Sequence, residues 1–218
     1  MKVLVFDTET TGLPKKSGMV PQLEEESYYP HIVQLSYIVY DGITNTIDKI
    51  YDQIITIPDN IVISEESIKL HGITREIMNE KGVSIKRALE SFIGDFYKAD
   101  TIVGHNVSFD KMMIHVEMLR NGFPNIDAFT STNKFYCTMK TTVDFCAIKT
   151  NYRNSVKTYN KFPKLIELYT RLFSKTPTKL HNSLNDVVLC LQCYCKLVFM
   201  TEIYELNEQI RTMVDNTL

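Results

Sequence analysis

A short apolar run near the start of the chain leads directly into two acidic residues. In the stretch VLVFDTETTGLP, the run from Val3 to Phe6 has the β-branched and aromatic content of a buried strand. Side chains alternate along an extended chain, so Asp7 and Glu9 project to the same side and repel each other. Either both carboxylates are solvated at the strand end, or they share a hard divalent cation such as Mg²⁺, which takes oxygen ligands.

The following segments alternate between strand and helix patterns. HIVQLSYIVYDG and KIYDQIITI predict two strands joined as a hairpin at the turn that begins with Asp41. Ser64 and Thr74 are predicted N-caps of two short helices, and SIKRALESFIGDFYKA has apolar residues at helical spacing. The sequence therefore predicts an α/β protein.

Two further acids lie where helices are predicted to begin. In GHNVSFDKMMIHVEML, Ser108 is a predicted N-cap and Asp110 falls in the first turn. In HNSLNDVVLCLQCYC, Ser183 with Asp186 resembles a capping box, and His181 precedes them. Each acid alone is explained by the helix dipole, and His181 alone by a loop. As ligands, acids at strand-to-helix junctions would lie where open α/β sheets place their sites.

Taken in order, these motifs resemble those of a known enzyme family. FDTETTGLP, GHNVSFD and HNSLND, with LHGIT between the first two, are similar to the motifs of the DEDDh, or DnaQ-like, 3′–5′ exonucleases. The resemblance covers about residues 3–197. It implies a ribonuclease H-like α/β fold, with a central mixed five-stranded sheet flanked by helices. We expect one exonuclease domain over residues 1–218.

The third motif departs slightly from the family pattern. The family more often has a small residue where Ser183 stands and an acid where Asn182 stands. Neither difference removes a ligand. The position of His181, five residues before Asp186, places the chain in the histidine branch of the family.

The resemblance implies a complete catalytic site. Two divalent ions per site, Mg²⁺ or Mn²⁺ as a substitute, would be held by the acids Asp7, Glu9, Asp110 and Asp186. His181 would act as general base. The terminal nucleotide would be bound by Thr10, Gly12, Leu13, His71, Asn106 and Phe109, with Leu13 wedged against its base. The polar loop KKSGMVPQLEEESYYP is expected to cover or border the site.

Charge is distributed unevenly along the chain. Residues 134–181 contain ten basic and two acidic residues, a net charge of +8 against −10 for the rest. This basic segment is either a solvated face or a path for nucleic-acid phosphates. Its aromatic residues either offer stacking faces to bases or belong to the core and loops; they are Phe135, Tyr136, Tyr152 and Tyr159.

The implied activity is removal of nucleotides from a 3′ end with release of nucleoside monophosphates. The first motif is most similar to the proofreading type, which favours single-stranded or frayed 3′ ends of DNA. Two alternatives remain: an exoribonuclease of the ribonuclease T or oligoribonuclease type, and a binding or polymerase-associated module that has lost catalysis. A DNA polymerase is an expected type of partner.

The cysteines and the chain ends carry further expectations. Only four apolar residues separate Lys2 from Asp7, so we expect neither a secretory signal nor a membrane span, and an intracellular, cytoplasmic protein. Five cysteines fit a reducing compartment, and the three in CLQCYC are expected in the core rather than at zinc. Residues 200–218 predict an amphipathic helix that either closes the core or forms a dimer or partner contact.

Overall fold

The computed structural model describes residues 1–15, 27–124, 126–152 and 156–218. Six strands form one sheet: β1 (Lys2–Thr10), β2 (Ile32–Asp41), β3 (Thr46–Thr56), β4 (Val83–Ser84), β5 (Thr101–Gly104) and β6 (Phe135–Cys137). Their order is β4-β3-β2-β1-β5-β6. The pairs β1–β2 and β2–β3 are antiparallel, whereas β1–β5, β5–β6 and β3–β4 are parallel. The mixed sheet is confirmed, but it has six strands rather than the five that the resemblance implies, because the two-residue β4 pairs with the outer side of β3.

Helices cover both faces of this sheet. The helices are α1 (Glu65–His71), α2 (Arg75–Lys81), α3 (Ile85–Phe96), α4 (Val107–Arg120), α5 (Ile126–Ser131), α6 (Thr138–Thr141), α7 (Val143–Cys146), α8 (Leu165–Phe173), α9 (Ser183–Tyr194), α10 (Ile203–Leu206) and α11 (Glu208–Asp215). A π-helical turn, Cys195–Phe199, follows α9, and β7 (Lys149–Asn151) pairs with β8 (Thr158–Asn160) in a separate hairpin.

The alternation of β1 divides the core into two layers. Leu4 and Phe6 pack with α3 and α4 on one face of the sheet. Val3 and Val5 pack with α9 and α11 on the other face. Strand β1 is therefore buried on both sides, and its carboxyl end lies between the two helical layers.

Two of the four predicted N-caps are confirmed. The Ser64 hydroxyl accepts a hydrogen bond from the Ser67 N–H at 3.1 Å, and the Thr74 hydroxyl caps α2. These serine and threonine oxygens satisfy N–H groups that have no partner within the helix.

The other two N-cap predictions are wrong by one or two residues. Helix α4 begins after Asn106, so Ser108 lies inside its first turn. Helix α9 begins after Asn182, whose side chain accepts a hydrogen bond from the Asn185 N–H at 3.4 Å. The amide oxygen of asparagine caps as well as a hydroxyl does, so Ser183 is released for another contact.

The predicted C-terminal helix is broken into two. Asn207 separates α10 from α11 and caps the second, accepting from the Ile210 N–H at 3.0 Å. Ile210 and Val214 are fully buried against α9 and the sheet, while Leu206 is exposed. The apolar face of this segment therefore closes the core of its own chain.

The cysteine-rich segment is also part of the core. Cys190, Cys193 and Cys195 are buried and free, as predicted, and Cys137 and Cys146 are also free. Along the described parts of the chain, no helix combines the length and the apolar character that a membrane crossing requires.

Candidate active site

Three of the predicted carboxylates converge at the carboxyl end of β1. Asp7 and Glu9 continue the alternation of Val3 and Val5, so they face the layer that contains α9. Asp186 lies in the first turn of α9. Carboxylate oxygens of Asp7, Glu9 and Asp186 all lie within 4.8 Å of one another. Oxygen donors of this kind are those that a hard divalent cation takes.

Asp110 approaches from the opposite helical layer. It lies in the first turn of α4, and its Oδ1 accepts hydrogen bonds from the backbone N–H of Thr8 at 3.0 Å and from the Thr8 hydroxyl at 2.8 Å. A Cβ at Gly104 would lie 3.1 Å from the Cβ of Val107, so glycine permits the sharp entry into α4. Thr8 is a residue that sequence reasoning missed. The available signal was that Thr8 stands between Asp7 and Glu9 on a strand, so its side chain points to the face of the sheet opposite theirs.

Ser183 joins the first and third motifs directly. Its hydroxyl donates to the backbone carbonyl of Asp7 at 2.7 Å, and its N–H donates to Oε1 of Gln34 at 3.4 Å. The Gln34 amide in turn donates to Asp52 at 2.8 Å. Gln34 was also missed, although a glutamine in a largely apolar strand is a recognisable signal.

The carboxylates strongly disfavour each other's charged form. Burial, followed by the charges of the other acids, raises the pKa of Asp7 well above its ordinary value and that of Glu9 to about 8. Burial also raises the pKa of Asp110 to about 7, against the hydrogen bonds from Thr8, and that of Asp186 to about 7. A bound cation would remove this repulsion, so the donor set fits a divalent metal.

His181 is placed beside the cluster but faces solvent. Its backbone N–H donates to Oδ2 of Asp186 at 3.2 Å, its φ is +63°, and its side chain is exposed. The preceding loop is held by the C-terminal segment, because the Thr178 N–H donates to the carbonyl of Thr217 at 2.9 Å. The Thr178 hydroxyl donates to the carbonyl of Leu218 at the same distance.

A cavity of about 910 Å³ adjoins the carboxylates through Glu9. It is lined by five of the six predicted nucleotide-binding residues, namely Thr10, Gly12, Leu13, His71 and Phe109. Asn106 is not among the lining residues; it adopts φ +67° just before α4. Lys15 and residues 27–30 of the predicted bordering loop line the cavity, whereas residues 16–26 of that loop lie outside the described residues.

His71 joins two walls of this cavity. Its Nδ1 accepts from the Ile73 N–H at 3.0 Å, so Nε2 carries the hydrogen and donates to the Thr10 carbonyl at 3.2 Å. Burial lowers the pKa of His71, which keeps the ring neutral. The imidazole therefore fixes the end of β1 against the turn between α1 and α2.

The basic segment does not form a single surface. Lys134 precedes β6, which runs parallel to β5 and β1, so it lies at the end of these strands opposite the carboxylates, and its ammonium donates to the Ala99 carbonyl. Lys161 pairs with Glu167 at 2.6 Å. In contrast, Lys140 reaches the first turn of α4. Arg153 lies outside the described residues.

Two of the four aromatic residues in this segment are partly buried and pack against the core, which favours the core alternative for them. The Phe135 ring lies 5.8 Å from that of Phe96, and the Tyr136 ring lies 5.1 Å from that of Tyr194. Strand β6 packs both rings between the sheet and its helices. Tyr152 and Tyr159 remain exposed.

Comparison with known proteins supports the same assignment. The model of the RNase_T family, described as Exonuclease, matches residues 4–194. A DNA polymerase III PolC-type of Pediococcus pentosaceus is 30% identical over 144 residues, which cover 64% of this chain and 9% of the polymerase. The chain therefore spans only a small part of that relative.

Solved structures of E. coli exonuclease I share the fold. The complex with a dA16 oligonucleotide gives a TM-score of 0.62 at 17% identity, covering 99% of this chain and 42% of that chain. The complex with a dT13 oligonucleotide gives a TM-score of 0.65 at 18% identity, covering 97% and 45%. The ribonuclease H-like α/β fold is confirmed. The chain belongs to the exonuclease (RNase_T) family, in the DEDDh or DnaQ-like group of nucleases.

Proposed function

We propose that this protein is a metal-dependent 3′–5′ exonuclease that hydrolyses DNA. The observation that carries the proposal is the convergence of Asp7, Glu9 and Asp186 within 4.8 Å, next to a cavity lined by Glu9. Asp110 adds a fourth carboxylate from the opposite layer, and its charge raises the pKa of Asp7 and of Glu9. Residues 1–218 act as one exonuclease domain in this proposal.

Two Mg²⁺ ions per site, for which Mn²⁺ can substitute, are assigned to the four carboxylates. The assignment rests on an all-oxygen donor set whose members repel one another until a cation binds. When bound, such ions lower the pKa of a coordinated water and offset the charge that develops on the departing oxygen.

The side chains of this protein then orient the reaction and move its proton. Thr8 holds Asp110 from two sides, which fixes the orientation of that carboxylate. His181 accepts a proton of the attacking water at a ring nitrogen, and the water oxygen bonds to phosphorus as the bond between phosphorus and the 3′ oxygen of the preceding nucleotide breaks. That 3′ oxygen takes up a proton from solvent, and a nucleoside 5′-monophosphate leaves. The exposed imidazole of His181 must turn inward for this step.

The cavity receives the terminal nucleotide. Thr10, Gly12, His71 and Phe109 form its walls, and Leu13, which is 81% exposed, offers an apolar side chain to the terminal base. Asn106 would approach from the start of α4. An exposed leucine on the wall of this cavity is suited to contact with a planar base.

The similar proteins support DNA rather than RNA as the substrate. One of them is a DNA polymerase, and the exonuclease I structures hold dA16 and dT13 oligonucleotides. The polymerase relative also supports a DNA polymerase as a partner. Five free cysteines fit a protein of the reducing cell interior.

A gel assay tests the proposal. DNA and RNA oligonucleotides of the same sequence, labelled at the 5′ end, are incubated with Mg²⁺, with Mn²⁺ and with EDTA, using wild-type protein and Asp7→Ala. We expect a metal-dependent ladder that shortens from the 3′ end, faster with DNA, and no ladder with Asp7→Ala. A faster RNA ladder would indicate an exoribonuclease. Binding without shortening under any metal would indicate a module that has lost catalysis.

A further inference from the structure

Residues 147–152 and 156–163 form an arm whose strands belong to a sheet separate from the main one. Its two short strands, β7 and β8, pair with each other, with Thr150 opposite Tyr159. The six-stranded sheet contains neither of them. An isolated two-stranded hairpin gains little stability from its own contacts, so the structure of this arm depends on what anchors it and on what covers it.

His105 anchors the arm at the catalytic edge. Its Nε2 lies 3.0 Å from the carbonyl oxygen of Pro163, and its Nδ1 lies 3.0 Å from the hydroxyl of Thr138. A carbonyl only accepts, so Nε2 carries the hydrogen and Nδ1 accepts from the hydroxyl. One ring thus binds the segments on either side of the arm, and His105 lies five residues before Asp110. Because His105 directly follows β5, which pairs in parallel with β1, the root of the arm lies at the carboxyl end of these two strands.

The described part of the arm exposes apolar side chains that the core does not use. Tyr152 is 55% exposed and Tyr159 is 40% exposed, and their ring centroids lie 4.5 Å apart. Val156 and Phe162 are also exposed. A cluster of exposed aromatic and aliphatic side chains on one short hairpin indicates a binding surface.

The charge of the arm identifies the kind of partner. The described residues of this arm include three basic residues and no acidic residue, namely Lys149, Lys157 and Lys161. Lys161 is paired with Glu167. A surface that combines basic side chains with exposed rings is complementary to single-stranded nucleic acid, whose phosphates are anionic and whose bases stack.

We propose that this arm binds single-stranded nucleic acid on the 5′ side of the terminal nucleotide. Tyr152 and Tyr159 stack on bases, and Lys149 contacts a phosphate. The arm holds the strand while its 3′ end occupies the cavity. The position of the arm relative to the 3′ end rests on the proposed exonuclease function, whereas its affinity for a single strand does not.

Equilibrium binding without hydrolysis tests the arm. Fluorescein-labelled oligothymidylates of about 15 and about three nucleotides are titrated in EDTA, and anisotropy gives the Kd of each. For the Tyr152→Ser/Tyr159→Ser variant we expect the Kd of the long strand to rise about tenfold or more, since stacking on each ring contributes substantially to affinity. The Kd of the short strand should rise less than about twofold, because three nucleotides that occupy the cavity leave few bases for the arm.

Matched controls separate this effect from misfolding. Tyr97→Ser removes a comparably exposed tyrosine at the end of α3, and should leave both Kd values unchanged. Lys149→Glu keeps the two tyrosine rings and reverses one charge, and it should weaken the binding of the long strand but not that of the short strand. Lys86→Glu makes the same change on α3, next to β4 at the other edge of the sheet. Circular dichroism melts confirm that each variant is folded.

Several outcomes would overturn the proposal. If the Tyr152→Ser/Tyr159→Ser variant binds the long strand with unchanged affinity, or loses equal affinity for both strands, the arm does not bind the single strand. A change in oligomeric state on size exclusion with unchanged Kd values would show that it docks protein instead. Because the test measures binding and not hydrolysis, it gives a result even if the protein is inactive. If the protein is active but the arm variants bind DNA as wild type does, this inference is contradicted while the proposed function stands.

Discussion

The hydroxyl of Ser183 donates to the backbone carbonyl of Asp7 at 2.7 Å, although 176 residues separate them in sequence. This hydrogen bond fixes the start of α9, with Asp186, against the end of β1, with Asp7 and Glu9. The relative position of the first and third motifs therefore depends on one small polar side chain that is fully buried.

Replacement of Ser183 by alanine tests that dependence. We expect the free energy of unfolding to fall by about 1 kcal/mol, the usual cost of one lost hydrogen bond, and turnover to fall with it. The control Ser91→Ala removes a hydroxyl that bonds Tyr37, away from the carboxylates. Urea denaturation and hydrolysis rates are measured for both. Equal losses of turnover would show that Ser183 has no special influence on the site.

Asp7→Asn is expected to stabilise the metal-free protein. Its carboxylate is buried among three other acids, so neutralising it removes repulsion that the fold must otherwise overcome. We expect a higher Tm than wild type in EDTA, with a gain of about 1 kcal/mol or more. In Mg²⁺ the gain should shrink, because asparagine binds the cation less well. Asp59→Asn, at an exposed turn, should leave Tm unchanged in both buffers.

The stability of the metal-free protein should fall as pH rises toward 8. The folded pKa values of Glu9 (about 8), Asp110 (about 7) and Asp186 (about 7) exceed the unfolded values of about 4. The folded state therefore binds more protons than the unfolded state between these limits, and each proton contributes a slope of about 1.4 kcal/mol per pH unit. Denaturation between pH 5 and 8 in EDTA should show this loss, and Mg²⁺ should reduce it. A flat profile in EDTA would contradict the assigned repulsion.

Shortening the chain after Asn216 should slow turnover. The carbonyls of Thr217 and Leu218 accept the hydrogen bonds that hold Thr178, three residues before His181. Without them we expect kcat to fall several-fold, by about 1 kcal/mol of lost transition-state stabilisation, with a smaller change in KM. Thr212→Ala alters an exposed position of the same α11 and serves as the control. An unchanged kcat would mean that the loop is ordered without this anchor.

His71→Leu should act on substrate binding instead. The exchange removes both hydrogen bonds between the cavity walls, to Thr10 and from Ile73, while it keeps an apolar side chain of similar length. We expect KM for an oligonucleotide to rise several-fold, about 1 kcal/mol, with kcat nearly unchanged. His71→Gln, which can restore one of the bonds, should recover part of the affinity. A loss confined to kcat would place His71 in the chemistry rather than in the cavity wall.

Local patterns predicted most of the strands and longer helices, because each is determined by residues near one another in sequence. Alternation along β1 also predicted that Asp7 and Glu9 share one side of the strand, whereas their grouping with Asp186 followed only from the family resemblance. Contacts between distant segments were not predictable. Neither the Thr8 hydrogen bonds to Asp110 nor the Gln34 contact with Ser183 follows from local sequence, since the first needs α4 to dock on β1 and the second needs α9 to dock on β2.

The carboxylates come from two helical layers, and this affects when nuclease activity appears during folding. Helices α4 and α9 dock on opposite faces of β1, and α9 reaches it from the far end of the chain. Non-local docking of this kind is slow compared with the formation of single helices. In a refolding experiment, recovery of nuclease activity should therefore trail recovery of helical signal, which makes activity a stringent reporter of the last tertiary contacts to form.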